Sequence, residues 1–191
     1  CAFKNAVNVT AVKLPYTIAE IGNSAFYNCT GLQRIELPDG LKEIPFEAFY
    51  NCAALTEINL PRVTKISTSA FYKCSSLTSL HIPQSVREIG NCITAYCKNL
   101  TSLTVDENNL FYESEGNCII KKSTHTIIAG CIASVIPQSA KTIGPLAFCG
   151  SMPEPFVIPS NIEKLELCAL STYSGKTLVI PASVTYIDYE F

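Results

Sequence analysis

The hydrophobic positions of this chain fall into one pattern that keeps returning. Residues 66–83 read ISTSAFYKCSSLTSLHIP: an isoleucine, an Ala-Phe-Tyr triplet, a cysteine, then Leu-x-x-Leu-x-Ile-Pro. Residues 21–38 read IGNSAFYNCTGLQRIELP and residues 44–61 read IPFEAFYNCAALTEINLP. A unit this short cannot bury its apolar face alone. Copies stacked in register share one continuous core, so the repeat predicts a solenoid.

The prolines set the period. Pro15, Pro38, Pro61 and Pro83 are followed by Asp106 in the same place, then by Pro137, Pro159 and Pro181, in steps of 23, 23, 22, 23, 31, 22 and 22. This is the spacing of leucine-rich repeats, roughly 20–29 residues. Residues 77–82 predict a short strand with Leu80 and Ile82 inward and Ser79 and His81 outward. Pro83 lacks an N–H and ends it. One such strand per unit, stacked in parallel, builds a sheet along the solenoid.

Beyond each proline a second apolar pair follows: Leu41 and Ile44, Val86 and Ile89, Val184 and Ile187. These pairs suit either a short second strand or a helical turn. Ala25, Phe26 and Cys29 then predict the buried side of a short helical or 3₁₀ turn, repeated at Ala48, Phe49 and Cys52 and at Ala70, Phe71 and Cys74. The expected fold is an α/β-type but β-rich right-handed repeat superhelix. It has a parallel sheet on one face and short strands, turns or 3₁₀ segments on the other.

The pattern has two breaks. Thr94 stands where Phe is due. Residues 107–131 do not fit the unit; their β-rich runs 118–120 and 126–128 flank a polar stretch and predict an inserted hairpin. Cys118 and Cys131 sit symmetrically about that turn, as two thiols or as a disulfide. Residues 150–155 read as a loop. Residues 1–191 are otherwise expected to form a single solenoid. The chain opens in mid-repeat, with Ala2-Phe3 placed before Pro15 as Ala25-Phe26 is before Pro38, and residues 187–191 read as the start of a new unit. The expectation is a piece of a longer protein, or ends covered by association.

Composition narrows the classes. Hydrophobic residues make up 48% and charged residues 16%, enough for a continuous core and too apolar for a disordered chain. No apolar run approaches the roughly 18–20 residues that cross a bilayer, so no membrane insertion is expected. A net charge of −2 speaks against nucleic acid, which needs a basic footprint. Of the 10 cysteines, Cys29, Cys52, Cys74 and Cys97 share one column of the repeat, which predicts a ladder of buried free thiols. The close Cys pairs of a zinc site are missing.

With these motifs in hand, the chain resembles the BspA-type leucine-rich repeat family. The resemblance rests on the Ile-Gly-x-x-Ala-Phe-x-x-Cys-x-x-Leu-x-x-Ile-x-Ile-Pro unit of residues 21–38. It rests also on Gly116-Asn117-Cys118-Ile119-Ile120 and Ala129-Gly130-Cys131 leading into Val135-Ile136-Pro137. The family implies a large bacterial or protist surface or secreted protein, in some cases an adhesin, and it offers no catalytic residues to carry over.

Candidate binding residues follow from the strand register. One outward row reads Lys13, Glu36, Asn59, His81, Thr104, Val135, Val157 and Val179; its neighbour includes Arg34, Glu57 and Ser79. The first half is polar and of mixed charge. The valines would form an apolar stripe suited to a protein contact, including self-association. Tyr27, Tyr50 and Tyr72 form a further column that could stack on sugars. His81 and His125 are the only histidines, and no nucleophile–base pair can be argued for either. Glu113 and Glu115 share one loop rather than facing across a cleft. No catalytic set, metal site or cofactor is expected. Asn8, Asn28 and Asn99 lie in glycosylation sequons.

The expected function is non-enzymatic recognition of a protein or glycan on a host or neighbouring cell, through the exposed sheet face, by an extracellular or cell-surface protein. A structural spacer, or an accessory region of an extracellular enzyme, remains an open alternative.

Overall fold

The computed structural model describes residues 2–188. Among them it contains strands and turns but no helix. The strands are β1 (Ala11–Lys13), β2 (Arg34–Glu36), β3 (Glu43–Ile44), β4 (Lys65–Ile66), β5 (Ser79–Ile82), β6 (Glu88–Ile89), β7 (Ser102–Val105), β8 (Tyr112–Glu115), β9 (Cys118–Lys121), β10 (Thr126–Ala129), β11 (Thr142–Ile143), β12 (Lys164–Leu165) and β13 (Tyr186–Ile187). The result is a β-rich solenoid with parallel sheets. Cys1 and residues 189–191, which bear on the readings of both chain ends, lie outside the described residues.

Where a strand forms before the proline, it alternates as the sequence predicts. In β5, Leu80 and Ile82 are buried while Ser79 and His81 are exposed. β1 pairs in parallel with β2, and β5 with β7. The sheet is less regular than one strand per unit, however. Residues 57–59 join neither pair, and no strand forms at 133–136, 155–158 or 177–180. Asp106 keeps an N–H where other units have proline, and it donates to Ile82 O at 2.9 Å, one step beyond where proline would stop the ladder. Elsewhere the proline carbonyl opens a turn: Leu41 N bonds Pro38 O and Val86 N bonds Pro83 O, both at 3.1 Å.

The second apolar pair proves to be a strand. β3, β4 and β6 stack in parallel with Ile44, Ile66 and Ile89 in register. Lys65 lies between Glu43 and Glu88, at 3.5 and 3.6 Å. These half-exposed pairs align charge but add little stability.

The Ala-Phe-Tyr segments are not helical or 3₁₀, which corrects the sequence reading. Their amides alternate in direction. Ala25, Tyr27 and Cys29 donate three residues back, to Gly22, Ser24 and Phe26. Ser24, Phe26 and Asn28 donate instead to Phe46, Ala48 and Tyr50 of the next unit. A helix would use every amide internally; here half of them tie neighbouring units together. The alternation requires left-handed residues, supplied by Ser24 (φ 54°) and Asn28 (φ 57°) and repeated at Glu47 and Asn51 and at Ser69 and Lys73.

Residues 107–131 are also built differently from an appended hairpin. β9 and β10 do pair antiparallel, but β8 adds a third antiparallel strand and β10 pairs in parallel with β11. The segment is thus part of a six-stranded sheet running from β8 to β13. It is held to the preceding units by Ser114 Oγ, which accepts from Val105 N at 2.9 Å, and by Tyr112 OH, which accepts from Ile89 N at 3.1 Å. Cys118 and Cys131 are free thiols, both buried.

The core follows the columns. Phe3, Phe26, Phe49 and Phe71 stack with ring centroids 5.1, 5.3 and 5.7 Å apart. The cysteine column does more than fill space. Cys52, Cys74 and Cys97 each donate through Sγ to the carbonyl of the preceding unit's aromatic residue (Phe26, Phe49 and Phe71), all at 3.1 Å. Burial pushes the Cys52 and Cys97 thiols up to about 12, and Cys74 well up, from an ordinary 9.0.

Such thiols should resist iodoacetamide at pH 8 in the folded protein and react once urea unfolds it, read as mass increments. The same shift sets a pH dependence. Unfolding returns the thiols to the ordinary range, so above pH 9 the unfolded chain loses these protons first. Stability should therefore hold below pH 9 and fall as pH rises from 9 toward 12.

Candidate functional site

The break in the first sheet creates a site. β2 ends one ladder and β5 begins the next, and residues 57–59 lie between them. Thr56 N bonds Gln33 O at 3.4 Å and Thr78 N bonds Thr56 O at 3.2 Å, so the three segments start in register. Beyond Thr56 the backbone of 57–59 makes no ladder bond. Ile58 still buries its side chain, which anchors the segment, while Glu57 and Asn59 face solvent.

The outcome is a groove of about 530 Å³ lined by Arg34, Glu36, Glu57, Asn59, Ser79 and His81 over a floor that includes Ile35 and Ile58. Of the polar residues in the two outward rows, Arg34, Glu36, Glu57, Asn59, Ser79 and His81 meet here, while Lys13 and Thr104 lie outside the lining. Lys13 reaches Glu36 at 3.3 Å on the rim, with both side chains largely exposed, so the pair is screened by water and open to exchange partners. His81 Nδ1 lies 3.0 Å from Thr104 Oγ1. The partner of His81 is thus a hydroxyl and not a carboxylate, and the pair suits hydrogen-bonded recognition. Two carboxylates, one guanidinium, one amide and one imidazole can bind a partner of mixed charge. Peptide groups at 57–59, unused by either ladder, add donors and acceptors for an extended segment.

Val135, Val157 and Val179 lie elsewhere, on the later units. They are 71, 67 and 75% exposed, and the structure does not bring them into the polar groove. Val135 is fixed through its N–H to Gly116 O at 2.8 Å. A Cβ on Gly116, whose φ is +57°, would meet Val135 O.

The tyrosine column cannot offer ring faces to a sugar. Tyr27 stacks on Tyr50 at 4.6 Å and Tyr50 on Tyr72 at 4.7 Å, within 9° of parallel. Burial, then the neighbouring Tyr96 and Tyr50, push the Tyr72 hydroxyl up to about 12. Glu115 is engaged by Ser139 Oγ at 2.6 Å, and Glu113 sits opposite Ile120 in the β8–β9 ladder. Among the described residues no cluster of three or more His, Cys, Asp or Glu could hold a metal ion, and no helix is long and apolar enough to cross a membrane.

Two structural residues escaped the sequence reading. Ser151 replaces cysteine in its column and does the same work, donating to Thr94 O at 3.3 Å. Asn109, almost fully buried, anchors the loop between β7 and β8. Its Nδ2 donates to Pro83 O and Val86 O, and its Oδ1 accepts from the amides of Phe111 and Tyr112.

Solved structures share this fold. A leucine-rich repeat protein from Eubacterium ventriosum is 23% identical with a TM-score of 0.73, over 94% of this chain and 56% of that one. One from Bacteroides ovatus is 29% identical with a TM-score of 0.70, over 98% of this chain and 47% of that one. A leucine rich cell surface protein from Faecalibacterium prausnitzii is 22% identical with a TM-score of 0.50, over 97% of this chain and 63% of that one. The chain thus spans between 47 and 63% of the length of these proteins. No curated protein matches the sequence. The BspA type leucine rich repeat region matches in six copies over residues 1–118 and 119–191. With that match running its full length, the chain belongs to the BspA-type leucine-rich repeat family.

Proposed function

We propose that the chain is a non-enzymatic recognition module of an extracellular or cell-surface bacterial protein, binding a protein ligand through the groove between β2 and β5. Membership of a repeat family and likeness to a cell-surface protein support the general role. The observation that carries the site is the convergence of Arg34, Glu36, Glu57, Asn59 and His81 around a segment left out of both ladders. The groove stands on a close-packed core, so binding has little ordering cost to overcome. In this reading residues 1–191 act as one solenoid within a longer protein. The exposed valines at 135, 157 and 179 form a second, apolar contact available to another copy.

The triple variant Glu36→Ala, Asn59→Ala, His81→Ala tests the reading. These side chains are exposed, so circular dichroism and the unfolding midpoint should be unchanged. Binding to extracellular-matrix proteins immobilised on a sensor surface should weaken by about tenfold or more, as when central interface contacts are truncated. A folded variant that binds as tightly as the parent removes the groove from the account.

A further inference from the structure

We propose that a second groove, between the turns around Tyr96, Gly150–Phe156 and Thr172–Thr177, is a saccharide site that takes a short neutral oligosaccharide. Its volume is about 960 Å³, at the upper end of the roughly 300–1,000 Å³ of small-ligand sites. It is separate from the β2–β5 groove and exists because of β8–β10. Those strands contribute no Ala-Phe-Tyr turn, so the turn holding Tyr96 stacks directly on the one holding Gly150: Tyr96 N donates to Cys149 O at 3.2 Å.

That junction ends the tyrosine stack. Tyr96 is tilted 55° to Tyr72, whereas the earlier rings lie within 9° of parallel. Tyr96 stands in the column of Asn28, Asn51 and Lys73, and Gly150 follows it there at φ +65°. A Cβ on Gly150 would run into the Tyr96 ring. The glycine backbone therefore packs on the ring where no side chain could, Lys73 Nζ lies 5.8 Å from the ring centroid, and the part of Tyr96 left exposed faces the groove. Tyr173 is held the same way: a Cβ on Gly175 would run into its hydroxyl, which donates to Thr177 O at 2.6 Å. Phe156 is locked edge-on against Phe148 at 5.1 Å. Thr172 Oγ1 accepts from Gly150 N at 2.7 Å and joins the two loops.

Two part-exposed tyrosines, Tyr96 and Tyr173, thus line a groove whose floor is the buried Phe156 and which also carries Lys98 and Glu154, both exposed. A pyranose has an apolar C–H face for such rings and a rim of hydroxyls for an ammonium and a carboxylate. With one charge of each sign, the groove carries no net charge to draw a charged sugar in preference to a neutral one.

The test is saturation-transfer NMR of the chain with cellotriose, maltotriose, mannotriose and triacetylchitotriose. At least one should show transfer at millimolar concentration. Tyr173→Ala should weaken that sugar by about tenfold, the size of one aromatic contact. Glu154→Gln, a near-isosteric change at an exposed side chain, should weaken it by a similar factor of about ten. The Glu36/Asn59/His81 triple variant should leave it unchanged, so failure of one site is distinguishable from failure of the other. The proposal is overturned if none of the four sugars binds, or if binding survives both groove variants. It is overturned equally if a poly-L-proline peptide, and not the sugars, binds in a Tyr173-dependent way.

Discussion

Phe49→Ala should destabilise the protein by about 3–5 kcal/mol, the range for an aromatic residue deleted from a close-packed core. Phe49 is fully buried, and its ring lies between Phe26 at 5.3 Å and Phe71 at 5.7 Å. Its loss opens a void that cannot collapse, because the backbone on both sides is tied. Phe26 N bonds Ala48 O, and Phe49 N bonds Ala70 O, both at 2.9 Å. In a stack where each unit contacts only its neighbours, a weak central unit also uncouples the two ends. Urea unfolding followed by circular dichroism should show a lower midpoint and a broader or split transition. Val157→Ser, at an exposed position, should stay within about 0.5 kcal/mol of the parent. Comparable effects at both sites would mean that the phenylalanine column is not the core.

Asn109→Ala should cost about 3 kcal/mol or more, since each buried group left unpaired costs roughly 1–3 kcal/mol. The side chain satisfies four backbone groups at once: the carbonyls of Pro83 and Val86 at 2.9 and 3.0 Å, and the amides of Phe111 and Tyr112 at 2.9 Å each. Asn109→Asp keeps the acceptor for the two amides but sets a carboxylate oxygen against two carbonyl oxygens, so it too should destabilise. The distinguishing readout is amide exchange. Phe111 and Tyr112 should lose protection in Asn109→Ala and retain more of it in Asn109→Asp. Equal protection in both variants would show that Asn109 is not the anchor of this loop.

Much of the fold could be read before any coordinates, and the reason is repetition. Leu80, Ile82, Phe26 and Cys29 are buried where their columns required, because each such position is restated in several units. What could not be read is what happens between units. Ala25, Phe26 and Cys29 have a spacing that fits a helical turn equally well. Only the bonds from Ser24, Phe26 and Asn28 to the next unit reveal that half the amides are used sideways. The same holds for 118–128, where the alternation predicts paired strands but cannot show that β10 goes on to join β11.

The candidate site was half legible. Register alone placed Arg34, Glu36, Glu57, Asn59 and His81 outward on neighbouring units. The open ladder at 57–59 was not, since its sequence differs little from the strands beside it. The groove around Tyr96 and Tyr173 gave only the signal of irregularity: two glycines, Gly150 and Gly175, near two tyrosines in units that break the pattern.

The most direct test of recognition through the sheet face is a hydrogen-exchange footprint. The chain would be compared alone and bound to an extracellular-matrix protein it retains. Protection confined to residues 34–37, 57–59 and 79–81 is the predicted result, with the turns at 22–29 and 45–52 unchanged. Protection of those turns instead, with 57–59 exchanging freely in the complex, would contradict it, as would a chain that retains no matrix protein at all.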